Sequence, residues 1–258
     1  MNPSVIVLDL TKTYGPTRAL NKLSFSVEPG SIYGLIGPNG AGKTTSLAIL
    51  AGLIQATSGE AVILGLPVRP GNCRLVSRIG FFSPQFPYFD YLTGVEVLLT
   101  CGLMHGLTPK KAKGRTHDLL ALLDLQSAGG QYLSQYSQGM RHKLGLACAL
   151  IHAPEILLLD EPFVGLDPSA IFRLVSCLRG MAAKGRTIIL SSHDMALVER
   201  LCNRVGILHE GVLKHQITLA DNSNPGASEQ PGPETHPGLE SVLWEIVGMP
   251  KIQEIPWL

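Results

Sequence analysis

Between Val5 and Leu10 apolar side chains alternate, Ile6, Leu8 and Leu10 against Val5, Val7 and Asp9, which is the period of a strand. Ser24–Val27 and Ser31–Ile36 are short apolar runs separated by Pro29-Gly30, a turn pair. Glu60–Leu64 follows Ser58-Gly59 and reads as a further strand. Ile79–Phe82, Ile156–Asp160, Thr187–Ser191 and Val205–Leu208 are brief aliphatic runs with helical patterns between them. Unbroken apolar strands alternating with helices predict a parallel sheet with crossover helices.

From Gln85 to Pro154 the period changes. Thr93–Met104 and Lys110–Leu123 are amphipathic at helical spacing, and Met140, Leu144, Cys148 and Ile151 continue it. The economical description is an α/β core with an inserted helical part, about residues 86–153. Asp221–Gly238 carries Pro225, Pro231, Pro233 and Pro237 among polar residues and reads as a linker. Beyond it Leu239, Val242, Leu243 and Ile246 form a helical stripe ended by Gly248 and Pro250. The expected organisation is a main domain over 1–220, a linker over 221–238 and a helical tail over 239–258.

Composition narrows the function classes. A net charge of +1 gives no basic footprint for nucleic acid. No apolar run approaches the roughly 20 residues that span a bilayer, and the N-terminus has no signal-peptide architecture. Cys73, Cys101, Cys148, Cys177 and Cys202 are scattered without a Cys-x-x-Cys pair, as expected for ordinary thiols in a reducing compartment. These observations place the expected site of action in the cytoplasm.

The chemistry begins at Gly37-Pro-Asn39-Gly40-Ala-Gly42-Lys43-Thr44-Thr45. This run fits G-x-x-x-x-G-K-[ST] between a strand and a helix, the context a phosphate loop requires. Its glycines let backbone N–H groups curl around phosphate oxygens, and the helix N-terminus adds a favourable dipole. Lys43 would reach the β- and γ-phosphates, and the Thr44 hydroxyl would ligate Mg²⁺. Ile156–Glu161 is an apolar strand ending in two carboxylates. Asp160 is placed to hold Mg²⁺, and Glu161 to polarise a water against the γ-phosphate. No Asn-Lys-x-Asp guanine reader lies downstream, which argues against GTP.

Leu133–Arg141 opens a helix with Ser137 as an N-cap type and Gly139 where backbone can approach an anion. Alone, this segment is better described by an ordinary capped core helix. Beside a phosphate loop it is a second phosphate-binding surface, which two chains arranged head-to-tail could both use.

Taken together, the motifs resemble the ATP-binding subunits of ABC transporters over nearly the whole chain. Gly37–Thr45 resembles Walker A, and Ile156–Glu161 is similar to Walker B with its catalytic glutamate. Gln85 is similar to the Q-loop glutamine and Tyr136–Met140 to the signature. Gly165–Pro168 resembles the D-loop, Ser191–Asp194 the switch-histidine loop, and Tyr14 the aromatic that stacks on adenine. The resemblance implies a P-loop NTPase core with a parallel sheet, an antiparallel β subdomain and an inserted helical subdomain. It implies that Lys43, Thr44 and Thr45 bind phosphates and Mg²⁺, with Gln85 and Asp160 completing the metal shell. Glu161 would be the general base and His193 would stabilise charge on the γ-phosphate. Ser137 and Gly139 would touch the partner's ATP, and Asp167 would link the two sites.

The implied partners are a membrane permease on another chain and a second ATPase subunit, in the simplest case an identical one. The implied location is the cytoplasmic face of the membrane. Tyr136–Arg141, Glu161–Pro168 and the tail Leu239–Gly248 resemble ABC-2-type exporters in particular. Two departures stand out. The usual Leu-Ser-Gly-Gly-Gln reads Tyr-Ser-Gln-Gly-Met, and Phe163 stands where Thr or Ser often follows the Glu-Pro pair. A soluble ABC ATPase of DNA repair or translation is the alternative, but the chain shows neither a long coiled-coil insertion nor a second cassette. A regulatory module that holds ATP without turnover sits poorly with intact Lys43, Asp160, Glu161 and His193.

Overall fold

The computed structural model describes residues 2–84, 90–219 and 238–248. Two sheets organise it. One is antiparallel, in the order β2–β1–β4–β5, with β1 Val5–Tyr14, β2 Thr17–Val27, β4 Ser58–Ile63 and β5 Leu66–Pro67. The other has the order β10–β9–β3–β8–β7–β6, with β3 Ile32–Ile36, β6 Ile79–Phe82, β7 Ile156–Asp160, β8 Thr187–Ser191, β9 Arg204–His209 and β10 Val212–Thr218. Every pairing in this second sheet is parallel except β9 with β10. The expected parallel sheet is therefore parallel with an antiparallel edge strand.

β3, β7 and β8 are buried at every position, which is why they read as continuous apolar runs rather than alternating ones. The helix α1 Lys43–Leu50 fills the space between the two sheets, and Leu47 and Leu50 share one core with Val5, Leu20, Leu158 and Ile189. The opposite face of the six-stranded sheet carries a second core with α3 Gly94–Met104, α4 Pro109–Leu122, α5 Gln138–Leu150 and α6 Pro168–Ala183. The helices α3 to α5 fall between β6 and β7 in sequence. Each begins on a side chain suited to it: Thr93 and Glu96 form a capping box on α3, and Thr108 and Ser137 accept from the first turns of α4 and α5.

The first two strands are longer than their alternation predicts. β1 runs four residues past Leu10, and β2 starts at Thr17 rather than Ser24. Their pairing shifts register three times between Val7 and Thr13, with Asp9 and Lys22 both at positive φ. Each bulge swaps inward and outward positions, so the period of two is lost although the ladder continues. Three further helices complete the described fold: α2 Cys73–Val76, α7 Met195–Leu201 and α8 Leu239–Val247.

Candidate functional site

Strand order, not sequence order, assembles the site. β8 lies between β3 and β7, and its last residue Ser191 sits in register with Leu35 on one side and Asp160 on the other. The three loops leaving these strands therefore open at one edge of the sheet. They carry Gly37–Gly42, Glu161 and His193. Ligand sites in open α/β sheets lie at this carboxyl edge.

The loop after β3 needs glycine at its first turn. Gly37 has φ 151, and a Cβ there would overlap the carbonyl oxygen of Leu208. Gly42 adopts φ 107 at the N-cap of α1, against Ala19 and Leu20 of β2, while Asn39 and Gly40 remain exposed. The Gly211 N–H donates to the Ala41 carbonyl at 3.0 Å and ties the loop to the β9–β10 turn. The first N–H groups of α1 point out of the loop, where an anion gains from the helix dipole.

Lys43 is only 7% exposed. Its Nζ donates to the carbonyls of Gly37 at 2.6 Å and Pro38 at 3.2 Å, so the ammonium is already held over the loop. Burial pushes its pKa below the usual lysine value, while Glu161 and Asp160 oppose the shift. A partly desolvated ammonium beside a helix N-terminus is a strong phosphate contact.

Asp160 is 4% exposed and accepts two short bonds. The Thr44 hydroxyl donates to its Oδ2 at 2.8 Å and the Ser191 hydroxyl to its Oδ1 at 2.6 Å. The Ser191 oxygen in turn accepts the Glu161 N–H at 3.0 Å. The Thr44 hydroxyl and Asp160 carboxylate next to a phosphate loop make a hard oxygen set, which fits Mg²⁺. Glu161 itself lies at φ 46, a strained conformation for a residue with a Cβ, and its Oε2 meets His193 Nδ1 at 2.9 Å.

The structure thus brings together Lys43, Thr44, Asp160, Glu161 and His193, with Gly37, Asn39, Gly40, Gly42 and Thr45 on the same loop and first helical turn. Tyr14 lies at the end of β1, 48% exposed, with the Lys12 ammonium 4.8 Å from its ring centre. Gln85 falls outside the described residues. Ser137, Gly139 and Asp167 form a second group. Ser137 Oγ accepts the Met140 N–H at 3.2 Å as the N-cap of α5. Asp167 caps α6 through the Ala170 N–H at 2.8 Å and pairs with Lys143 Nζ at 2.8 Å. The Lys143 bond, aided by the cap, holds the Asp167 carboxyl down to about 2.

Two polar contacts escaped the sequence reading. Ser191 was read as the last residue of a strand and the first of the Ser191–Asp194 loop, without its bonds to Asp160 and Glu161, and Lys143 only as one cation on an amphipathic helix. Neither contact can be inferred without the strand order and the approach of α5 to Asp167 at the start of α6.

A family profile for ABC transporters matches residues 20–164. The bacitracin transport ATP-binding protein BcrA of Bacillus licheniformis is 37% identical over 218 residues, covering 84% of this chain and 70% of that protein. The Nod factor export ATP-binding protein I of Rhizobium meliloti is 40% identical over 210 residues, covering 81% of this chain and 62% of that protein. Among the first curated relatives the match spans as little as 57% of the relative's own length. The dimeric post-hydrolysis structure of the ATP-binding cassette MJ0796 with ADP and Pi superposes with a TM-score of 0.78 at 25% identity, covering 84% of this chain and 99% of that one. Among the described residues no helix is long and apolar enough to cross a membrane. The fold is that of the ABC ATPase cassettes, and by profile, identity and architecture together the chain belongs to the ABC transporter family, among its nucleotide-binding subunits.

Proposed function

We propose that this chain hydrolyses ATP to drive export through a membrane subunit carried on another chain. The observation that carries the reading is the hydrogen-bonded row Thr44–Asp160–Ser191–Glu161–His193 beside the buried Lys43. The names of the relatives favour the direction, since one is called a transport and another an export ATP-binding protein.

The geometry described above and the family resemblance support the following roles. Lys43 exchanges its two loop carbonyls for β- and γ-phosphate oxygens, while the N–H groups from Gly40 to Thr45 surround the chain of phosphates. Asn39 borders the γ-phosphate, and the Tyr14 ring takes the adenine face. Thr44, Asp160 and Gln85 would hold Mg²⁺, which when bound neutralises charge shared by the terminal phosphates. Glu161 accepts a proton from the attacking water as the water oxygen bonds to the γ-phosphorus. The bond to the bridging oxygen breaks, leaving ADP and inorganic phosphate. His193, donating to the γ-phosphate, stabilises the charge that spreads in the transition state.

Ser137 and Gly139 serve the nucleotide of a second ATPase subunit in a head-to-tail dimer, in the simplest case an identical one. Asp167 couples the two sites. Closure of that dimer around ATP is the step that moves the membrane subunit, and hydrolysis resets it. In this reading residues 1–220 are the ATPase unit, 221–238 a linker and 239–258 a tail, all on the cytoplasmic face of the membrane.

Co-purification tests the proposal. The tagged chain, drawn from gently solubilised native membranes with ATP and Mg²⁺, should elute with a polytopic membrane protein near equal stoichiometry. Recovery from the soluble fraction alone, or with nucleic acid or ribosomes, refutes the transport reading.

A further inference from the structure

The helix α8 belongs to none of the nucleotide motifs, yet it lies against them. Leu239 and Leu243 are 3% and 6% exposed and share the core containing Val198 and Leu201 of α7. The Leu239 N–H donates to the Glu199 carboxylate of α7. α7 begins at Met195, two residues after His193, and is capped by Asp194, whose Oδ1 accepts the Leu197 N–H at 3.0 Å. A helix docked on α7 therefore sets where the backbone of His193 can sit.

The same helix also borders the site directly. A cavity of about 530 Å³ has Gly37, Asn39, Glu161 and His193 on one side and Trp244 and Val247 on the other. Apolar burial alone would be satisfied by the face carrying Leu239 and Leu243. Trp244 is half-buried beside the phosphate loop instead, with its indole N–H 3.4 Å from Glu240 Oε1. A large apolar ring there narrows the space in which water can stand between Glu161 and a terminal phosphate, and lowers the local dielectric.

We infer that α8 is part of the hydrolytic site: Trp244 walls the γ-phosphate side of the cavity, and α8 acts through α7 to position His193 against Glu161. This rests on the reading that Gly37–Thr45 hold the phosphates of ATP. Trp244 is a positioning residue, so its loss should act on turnover more than on ATP affinity.

The chain contains two tryptophans, so Trp257→Phe leaves Trp244 as its only indole. In a Glu161→Gln background, which prevents turnover, Mg²⁺·ATP should change Trp244 emission more than Mg²⁺·ADP does. Trp244→Ala should lower kcat roughly tenfold, with KM for ATP within about twofold, and Trp244→Phe should restore most of the rate. Unchanged emission at saturating ATP, with binding confirmed by a fluorescent ATP analogue, overturns the inference; so does a wild-type kcat for Trp244→Ala. Failure of the analogue to bind at all removes the nucleotide reading itself, a separate outcome. Should Trp244→Ala not fold, the emission measurement decides alone, because it needs no change at Trp244.

Discussion

We predict that Ser191→Ala destabilises the protein by about 2–4 kcal/mol and slows hydrolysis at least tenfold. The hydroxyl is wholly buried and serves two groups at once, donating to Asp160 and accepting from the Glu161 N–H. A hydrogen bond to a charged group is worth about 1.5–3 kcal/mol, and a buried donor left without an acceptor costs about 1–3 kcal/mol. The two share one oxygen, so the terms overlap rather than add. Alanine leaves Asp160 held through Oδ2 by Thr44 alone. It also removes a restraint on Glu161, whose φ of 46 is a strained conformation worth about 1–3 kcal/mol. Once released, that backbone can relax and carry the carboxylate away from a water-polarising position. Displacement by about 1 Å can cost a hundredfold in rate. Denaturant unfolding at constant m gives the first quantity, and single-turnover hydrolysis at saturating ATP gives the second. A loss under about 0.5 kcal/mol with unchanged turnover would refute the claim that this serine holds the two acids in place.

The remaining predictions probe other parts of the site and fold. Glu161→Gln should keep ATP binding and lose steady-state hydrolysis, since the amide cannot take the proton from water; near-normal turnover would overturn its assignment as base. Gly37→Ala should abolish nucleotide binding, measured by calorimetry, because its Cβ meets the Leu208 carbonyl and the loop must move. In Lys143→Met the Asp167 carboxyl should titrate upward from about 2 toward its ordinary 3.8, followed by carboxyl NMR; an unmoved value would mean the ion pair is not its main cause. Burial, with the neighbouring His105, lowers His152 to about 4 from 6.5. Its folded form therefore binds fewer protons, so stability should fall as pH drops from 6.5 toward 4, and His152→Asn should flatten that slope in pH-dependent melting.

What the sequence showed and what it hid divide along one physical line. The runs Ile79–Phe82, Ile156–Asp160 and Thr187–Ser191 match the observed strands to the residue, because a strand covered on both faces is apolar through its interior and carries polar residues, here Asp160, Thr187 and Ser191, only at its ends. The loop Gly37–Thr45 was legible for a similar reason, since few side chains tolerate a backbone that wraps phosphate. β10 was not: Val212–Thr218 is an edge strand with Lys214 and His215 exposed, and charge at an edge conceals the strand while protecting it. α1 begins at Lys43, within the motif, although its apolar stripe becomes visible only from Ser46 onward. Ser191, Lys143 and Trp244 share a deeper obstacle. Each acquires its role from an element distant in sequence, through a strand order and helix packing that no local pattern encodes.

The altered signature is explained by that packing. Tyr136, standing where leucine is usual, is 5% exposed and donates its hydroxyl to the Ala128 carbonyl at 2.8 Å, so it anchors the segment instead of meeting a ligand. Gln138 is exposed and Met140 packs against the core. Ser137 uses an oxygen lone pair to cap α5, which leaves its O–H free to donate to an anion. Behind it α5 is fastened twice to the segment that follows Glu161, and Gly139 lies close against it. His142 Nε2 lies 2.9 Å from the Pro162 carbonyl, a Cβ on Gly139 would stand 3.2 Å from the Gly165 carbonyl, and Lys143 pairs with Asp167. The segment after Glu161 and the first turns of α5, which carry Ser137, are therefore packed as one contiguous unit. The Leu-to-Tyr, Gly-to-Gln and Gln-to-Met changes spare that packing, because its contacts run through Gly139, His142 and Lys143.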